Sequence, residues 1–417
     1  MSPALSSFVS SPSEWGVVLV FATVYLGMFL GGLPRLKLDR SGVALLGAIA
    51  VIALTGLPVE DAARAVDLPT IVLLFAFMVV SAQMRLGGFY GAVTRRVGAM
   101  PLSRNGLLAA LIVVSGALSA VFSNDVICLA MTPVVARLCL QRGLNPLPFL
   151  VGLACAANIG SAATLIGNPQ NMLIGSVLAL DFADYALRAA APVAGGLLVL
   201  WVWLAWGPGQ SRSDALVPPS VPLDADPPFD AWQTTKGLTV VSVLMVLFLF
   251  TDAPHAVLAL VGAALLLLSR RLASSDVIGL VDWSLLVLFM GLFVVNHAFE
   301  STGMATDAVQ WLAARGVVLH EPGTLMVAGV MLSNLVSNVP AVMLLLPHLQ
   351  DHGSTAGLQL ALVTTFAGNL LLVGSIANLI VADLAGQQGV HIGWREHARI
   401  GVPVTLLSLG LVWMALR

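Results

Sequence analysis

The stretch Val121-Phe122-Ser123-Asn124-Asp125-Val126-Ile127 places three polar residues inside a long apolar segment. A relative of it, Ser337-Asn338-Val339-Pro340, interrupts an apolar segment in the other half of the chain. Each interruption is followed by a run rich in Gly and Asn, from Asn158 to Asn171 in the first half and from Gly368 to Asn378 in the second. In a soluble domain such runs would be ordinary loops, so the composition around them decides what they are.

That composition is typical of a membrane protein. Of 417 residues, 58% are hydrophobic and only 10% are charged, whereas a soluble domain carries about 25% charged residues. We therefore predict an all-α polytopic protein that has the lipid bilayer as a partner and no nucleic acid. Residues 1–14 contain no Lys or Arg, so the first apolar segment lacks the basic start of a cleaved signal peptide and is expected to remain as a span.

One change of composition divides the chain into two halves. Residues 207–236 are polar and rich in proline, which predicts a solvent-exposed linker. On either side, apolar runs of about 17 to 25 residues are long enough to cross a bilayer. The predicted parts are a first repeat, 1–206, with a broken run at about 105–140 and an interrupted helix at about 148–180, and a second repeat, 237–417, with a broken run at about 324–349 and an interrupted helix at about 357–384.

The two halves are related by sequence. The apolar segment after Asp67 superposes on the one after Asp282, an offset of 282 − 67 = 215. Further along, Ser123-Asn124 matches Ser337-Asn338, an offset of 337 − 123 = 214. An internal duplication of this kind is characteristic of transporters, where ligand sites form between the repeats near mid-bilayer.

The distribution of positive charge predicts the topology. If both broken runs are re-entrant hairpins, each half has five spans and the two repeats are inverted. One side of the membrane then receives only Arg64, Arg188, Arg315 and Arg417, and the other side receives the remaining 15 of the 19 Lys and Arg residues. Positive residues collect on the cytoplasmic side. We therefore predict a cytoplasmic linker and both termini outside, in a bacterial-type inner membrane.

The interruptions are the candidate transport site, because irregular backbone at membrane depth is tolerated only where it is buried in protein or lines a water-filled cavity. Ser and Asn add oxygen ligands, and Gly and Pro permit a helix to unwind. The second break has the shorter insert and no proline. The alternative is a set of helix caps without a ligand. The candidate substrate- and ion-binding residues are Ser123, Asn124, Asp125, Asn158, Gly160, Thr164, Gly167, Asn168, Pro169, Asn171, Ser337, Asn338, Pro340, Asn369, Gly374, Ser375 and Asn378, of which Ser123, Asn124, Ser337 and Asn338 are candidate Na⁺ ligands.

Asp125 is the most specific of these candidates. A carboxylate at membrane depth is costly and usually functional, as a proton carrier or a cation ligand. The structural alternative is an N-cap for a helix that begins at Val126. Its counterpart in the second half is Val339, so the two half-sites are not equivalent. By contrast, Asn296 and Glu300 are expected at a solvated helix end.

At these residues the chain resembles the ion transporter superfamily of citrate and dicarboxylate symporters, arsenite efflux pumps and one class of sodium/proton antiporters. Ser123-Asn124 and Ser337-Asn338 look like its paired Ser-Asn-Thr hairpin motifs, and the run from Asn158 to Asn171 looks like its helix-break signature. The third motif position departs from Thr, being Asp125 or Val339. The resemblance implies a homodimeric scaffold domain and a transport domain that carries both hairpins and moves in alternating access.

Together these features predict a secondary active transporter of a small anionic or neutral oxyanion substrate, of the carboxylate or arsenite class, coupled to H⁺ or Na⁺ and needing no other cofactor. A Na⁺/H⁺ antiporter of the same fold is the alternative, and a channel is less favoured. An enzyme is not expected, because the sequence has neither a His-Glu-x-x-His metal motif nor a Gly-x-Ser-x-Gly elbow.

Overall fold

The structure, a computed structural model, describes residues 12–32, 36–207 and 228–416. The regular elements in these ranges are helices, which confirms the predicted all-α fold. The first half contains α1 (Pro12–Leu30), α2 (Arg40–Thr55), α3 (Val59–Arg64), α4 (Leu68–Leu86), α5 (Phe89–Ala99), α6 (Arg104–Ser119), α7 (Asn124–Gln141), α8 (Leu147–Ser161), α9 (Pro169–Val177) and α10 (Phe182–Trp206). The second half contains α11 (Ala231–Phe250), α12 (His255–Leu267), α13 (Ser274–Ile278), α14 (Trp283–Ser301), α15 (Met304–Ala313), α16 (Pro322–Val336), α17 (Asn338–Leu345), α18 (Gly353–Ala367), α19 (Ile376–Gln387) and α20 (Trp394–Leu416), with 3₁₀ turns at Leu346–His352 and Leu372–Gly374.

Within the described ranges, six helices are long and apolar enough to cross a membrane. They are α4, α7, α10, α11, α14 and α20. Many large apolar side chains are exposed, including Leu19, Val113 and Phe250. In water such a surface would aggregate, whereas in a bilayer it meets lipid.

The helices pack in pairs that recur when the two halves are exchanged. α2 packs along α14 as α12 packs along α4, and α10 packs along α20. The first of these contacts is close, because a Cβ on Gly291 would lie 2.7 Å from backbone atoms of Ala44. Contacts that survive this exchange are those that a two-fold pseudo-axis produces, as expected for inverted repeats.

Matched N-caps begin the two helices that superpose at the offset of 215, after Asp67 and Asp282. The Asp67 carboxylate accepts a bond from the Thr70 N–H (2.8 Å), and that of Asp282 accepts from the Leu285 N–H (2.9 Å). Each satisfies a backbone donor that the first turn of a helix leaves unpaired. Both long central helices, α4 and α14, therefore begin at equivalent positions.

The start of α11 lies within the stretch that was predicted as a linker. The Asp230 carboxylate caps this helix by accepting from the Trp232 and Gln233 N–H groups (2.9 and 3.1 Å), so the helix begins at Ala231, inside the predicted linker. The remainder of that linker, residues 208–227, lies outside the described residues, as do Arg35 and the two chain ends.

Four elements of interrupted structure lie at the centre of the molecule. Hairpin 1 consists of α6 and α7, and hairpin 2 of α16, α17 and the 3₁₀ turn after them. Break 1, residues 162–168, separates α8 from α9. Break 2, residues 368–375, separates α18 from α19. Hairpin 1 packs against α8 and α19, which brings its tip to both breaks.

Candidate functional site

The centre of the site is the side-chain amide of Asn158, in the last turn of α8. Its Oδ1 accepts hydrogen bonds from Asn124 Nδ2 at the tip of hairpin 1 and from Ser375 Oγ in break 2, both at 3.0 Å. Its Nδ2 donates to Asn369 Oδ1 (2.8 Å) and Asn378 Oδ1 (3.2 Å). Five candidate residues from both repeats are thus joined directly, and we call this group the amide relay.

The backbone of break 2 fixes the direction of the relay. Asn378 Nδ2 donates to the carbonyls of Gly368 (2.8 Å) and Leu371 (3.2 Å), which can only accept. The Oδ1 of Asn378 must then accept from Asn158, which leaves the Oδ1 of Asn158 as an acceptor for Asn124. The Oδ1 of Asn124 is therefore the end of the chain, buried and without a hydrogen-bond partner in the described protein.

Break 1 repeats the same pattern. Asn171 Nδ2 donates to the carbonyls of Thr164 (3.1 Å) and Ser161 (3.5 Å), the positions equivalent to Leu371 and Gly368. Its Oδ1 accepts from Thr365 Oγ1 of the other repeat at 3.5 Å. Each break therefore binds its own carbonyls and receives a donor from the opposite half, so neither half-site is complete alone.

Thr365 occupies the position that matches Asn158, and it was not among the predicted site residues. The offset 365 − 158 = 207 equals the offset 378 − 171 = 207, so the two breaks have the same spacing and the expected shorter insert in the second is wrong. Thr365 Oγ1 accepts from Asn168 Nδ2 (3.3 Å) and from Gln170 Nε2 (3.2 Å). The constant offset of 207 through both breaks identifies Thr365 as the counterpart of Asn158.

Asn168 and Pro169 start the second part of the first broken helix. The Asn168 side chain accepts from the Asn171 N–H (2.9 Å) as the N-cap of α9, and its Nδ2 donates to Ser161 Oγ (2.9 Å). Pro169 follows as the first helical residue, where its missing N–H costs no hydrogen bond. These two residues shape the break and are buried among its side chains.

Each hairpin is hydrogen-bonded to the broken helix of its own repeat. In the first half Thr164 Oγ1 donates to the Ala120 carbonyl at 2.5 Å. In the second half Asn334 Nδ2 donates to the Ala367 carbonyl at 3.0 Å. The donor lies on the break in the first repeat and on the hairpin in the second, where the acceptor is the last residue of α18.

Three predicted glycines allow close approach. A Cβ on Gly167 would lie 2.2 Å from the Ser161 carbonyl oxygen, and one on Gly374 would lie 2.8 Å from an amide oxygen of hairpin 2. Gly160 has a different role, because its Cβ would lie 2.3 Å from the backbone of Gly116 on α6. Gly160 therefore packs hairpin 1 against α8 rather than lining the site.

Both hairpin tips present buried oxygen atoms that have no partner in the described protein. Asn124 Oδ1 and Ser119 Oγ are unpaired at the first tip, and the equivalent atoms, Asn338 Oδ1 and Ser333 Oγ, are unpaired at the second. The oxygen of Asn334 joins them. Buried polar atoms are normally satisfied, so these oxygens are available as acceptors at matched positions of the two tips.

Asp125 does not belong to the amide relay. Its carboxylate lies in a cavity of about 140 Å³ between hairpin 1 and helices α4 and α14, together with Ser123, Arg85 and Asp282. We call this the hairpin-1 cavity. The N-cap alternative is wrong in position, because α7 begins at Asn124 and Asp125 lies in its first turn. A carboxylate there interacts favourably with the helix dipole.

A larger cavity of about 480 Å³ occupies the equivalent place beside hairpin 2. This hairpin-2 cavity is lined by Asp67 and Glu300, which match Asp282 and Arg85 of the smaller one at the offset of 215. His297 lies beside them. The two cavities are thus related by the repeat but differ in size and in the sign of one charge.

Asn296 also lines the hairpin-2 cavity, and its expected solvation is wrong. The residue is 7% exposed, and its Oδ1 accepts from the Tyr25 hydroxyl at 2.8 Å. The same hydroxyl lies 3.5 Å from the carbonyl oxygen of Pro340 in hairpin 2. Pro340 therefore contacts α1 and is not one of the residues of the relay.

Comparison with known proteins gives a consistent result. The model of the citrate transporter family matches residues 17–367. The silicon efflux transporter LSI3 of Oryza sativa subsp. japonica is 28% identical, over 93% of this chain and 96% of its own. The inner membrane protein YbiR of Escherichia coli (strain K12) is 30% identical, over 84% and 87%. Among solved structures, the YdaH transporter of Alcanivorax borkumensis superposes with a TM-score of 0.61 at 14% identity, over 97% and 96%, a likeness of fold alone.

Proposed function

The chain belongs to the citrate transporter family, and on this premise we propose that it is a secondary active transporter of a small anion or neutral oxyanion, of the carboxylate or arsenite class. Family and relatives make it a membrane transporter and not an enzyme. The proposed transport is coupled to Na⁺ or H⁺ and proceeds by alternating access. The name of the rice relative adds silicon to the substrates worth testing.

The observation that supports this proposal best is the matched set of unpaired oxygens at the two hairpin tips. Asn124 Oδ1 and Asn338 Oδ1 are acceptors without donors, at the ends of half-helices. Hard cations prefer oxygen ligands, and interrupted helices hold coupling ions in this way. We propose that Na⁺, if it is the coupling ion, binds at the two tips through Asn124 and Asn338 together with Ser123 and Ser337.

Asp125 favours a coupling role over direct substrate contact. Its carboxylate would repel a dianion placed against it, and in the hairpin-1 cavity it lies at the contact between hairpin 1 and helices α4 and α14. A proton or cation bound there changes the charge at the surface across which the hairpin must move. A neutral or monoanionic substrate fits this arrangement better than a dicarboxylate.

Alternating access is supported by the unequal volumes of the two related cavities. The hairpin-2 cavity is about 480 Å³ and the hairpin-1 cavity about 140 Å³. A transporter with inverted repeats reaches its two states by exchanging the conformations of the repeats, so one side is open while the other is closed. With the predicted topology, the open side faces outward.

The proposal is tested with purified protein in liposomes. We expect saturable transport of at least one of citrate, succinate, sulfate, arsenite or silicic acid, driven by an imposed Na⁺ or pH gradient and absent from protein-free liposomes. The same compounds should raise the thermal unfolding temperature, because a ligand that binds the native state stabilises it. Flux that neither saturates nor responds to any gradient would indicate a channel instead.

A Na⁺/H⁺ antiporter is the second candidate, favoured by Asp125 and Asp282 sharing one cavity. An antiporter would alkalinise or acidify the liposome lumen when Na⁺ is added without any anion substrate. A pH-sensitive dye inside the liposomes measures this directly. A dye response that needs an anion substrate would instead support symport or anion exchange.

We further propose that the linker is cytoplasmic, that both termini are outside, and that the protein is a homodimer in a bacterial-type inner membrane. Cys128, Cys139 and Cys155 are buried, so an impermeant maleimide reports only on cysteines introduced at exposed positions. Asp39→Cys should react from the cytoplasmic side and Asp252→Cys from outside. Cross-linking in membranes, read by mass, tests the dimer.

A further inference from the structure

Two side chains outside the hairpins hold the carbonyl groups of the breaks. The Tyr185 hydroxyl, on α10, donates to the Ala162 carbonyl at 3.0 Å. His397 Nε2, on α20, lies 2.9 Å from the Asn369 carbonyl oxygen, and it must carry the hydrogen because a carbonyl can only accept. Ala162 and Asn369 match at the offset of 207, so the two contacts are equivalent.

These contacts answer a specific need of a broken membrane helix. Unwinding leaves carbonyl groups without their helical partners, and inside a membrane no water replaces them. Ala162 directly follows the end of α8 as its C-cap, and Asn369 lies just after the end of α18. Tyr185 and His397 are 2% and 1% exposed, so each donates from a position that lipid and water do not reach.

Gly401 provides a second, independent indication that α20 is built around this carbonyl. A Cβ at Gly401 would lie 2.2 Å from the Asn369 carbonyl oxygen and 2.8 Å from His397 Nε2. Only glycine permits the break to approach the helix so closely. The Asn369 carbonyl therefore lies between the His397 imidazole and the backbone of Gly401, one helical turn further along α20.

Both contacts are connected to the transport site. Asn369, whose carbonyl His397 binds, accepts with its side chain from Asn158 Nδ2 in the amide relay. On the other side, the Tyr185 hydroxyl accepts from Asn171 Nδ2 at 2.9 Å. A shift of either carbonyl would therefore turn an amide of the site.

We infer that Tyr185 and His397 are paired positioning residues that set the orientation of the two breaks and, through them, of the side-chain amides of Asn171 and Asn369. They act through the breaks rather than by touching the substrate. The inference rests on the proposed function for its transport readout, but its structural readout, the exchange of backbone amides in each break, does not depend on any substrate.

Four substitutions test this inference. His397→Phe and Tyr185→Phe each remove a hydrogen-bond donor, and His397→Tyr restores a donor with the side chain that the other repeat uses. Gly401→Ala displaces the Asn369 carbonyl while His397 remains. We expect H397F to speed hydrogen exchange of residues 368–375 by about tenfold, with residues 162–168 unchanged, because a hydrogen bond to a buried carbonyl is lost. Y185F should speed the exchange of residues 162–168 and leave that of residues 368–375 unchanged. H397Y should return break 2 to the wild-type rate.

In liposomes, H397F should raise KM by about tenfold and H397Y should restore it, a rescue that a purely space-filling role would not give. Wild-type exchange in H397F, or exchange in H397Y no slower than in H397F, would overturn the inference. If H397F does not fold, G401A decides, since unchanged exchange in break 2 would equally overturn it. If the wild-type protein transports nothing, the proposed function fails while the exchange measurements still decide this inference.

Discussion

The two hairpin tips carry the same Ser-Asn pair but turn differently. In hairpin 1, four residues separate the end of α6 at Ser119 from the start of α7 at Asn124, and Ser123 has an ordinary φ of −57°. In hairpin 2, Ser337 alone separates α16 from α17, and its φ is +79°. A non-glycine residue in such a conformation costs about 1–3 kcal/mol. The shorter turn is therefore the strained one.

The side chains at the two tips also differ, both in hydrogen bonding and in charge. Asn124 is fixed in the amide relay by its bond to Asn158, whereas the side-chain oxygen of Asn338 has no hydrogen-bond partner within the described ranges. Asp125 faces a cavity, and its counterpart Val339 is buried. Strained backbone that persists at a site is commonly part of its mechanism. The comparison shows that tip 1 is tied to the amide relay, whereas tip 2 carries the strained turn.

The largest expected effect separates the two tips by charge. Asp125→Asn should reduce gradient-driven transport in liposomes by more than about a hundredfold while leaving the thermal unfolding temperature unchanged, because the amide has the same shape but cannot exchange a proton or hold a cation as a carboxylate does.

The matched control is Val339→Ala, which changes the equivalent position without adding or removing charge and should keep transport within a few-fold of wild type. Asp125→Asn protein with normal transport and normal pH dependence would remove Asp125 from the coupling mechanism and leave the carboxylate as a helix-dipole partner only.

A smaller effect separates the tips by stability. Asn124→Ala removes a buried donor to Asn158 and should lower the free energy of unfolding by about 1–3 kcal/mol. Asn338→Ala should change it by less than about 0.5 kcal/mol, while still lowering transport. Thermal unfolding in detergent measures the first effect and liposome transport the second. Equal destabilisation by the two substitutions would show that tip 2 is as firmly bonded as tip 1.

The smallest effect concerns the backbone. Ser337→Gly should stabilise the protein by about 1 kcal/mol, because glycine adopts positive φ without steric cost. Ser123→Gly, at an ordinary φ, should destabilise it by up to about 1 kcal/mol through the greater entropy of the unfolded chain. Opposite signs in a thermal unfolding series are the expected result. If both changes destabilise, Ser337 is not strained.

Much of the fold follows from the sequence because the bilayer imposes strong rules. Apolar run lengths indicate the spans, and interruptions such as Ser123-Asn124 indicate broken helices, since irregular backbone at membrane depth must be buried. The relay residues were predicted for the same reason. Thr365 was missed because a single threonine in an apolar run resembles core, and only the constant offset between the breaks identifies it.

The sequence by itself determined that the chain is a duplicated helical membrane protein with paired hairpins and breaks. Length, hydropathy and spacing are local properties of the chain, and the thickness of the bilayer fixes how long an apolar span must be. Only the tertiary structure decided which side chains meet. It joined Asn124 to Asn158, directed Asp125 into a separate cavity, and brought Tyr185 and His397 from distant helices to the break carbonyls. These contacts depend on how helices pack across the two repeats, and no local pattern records that packing.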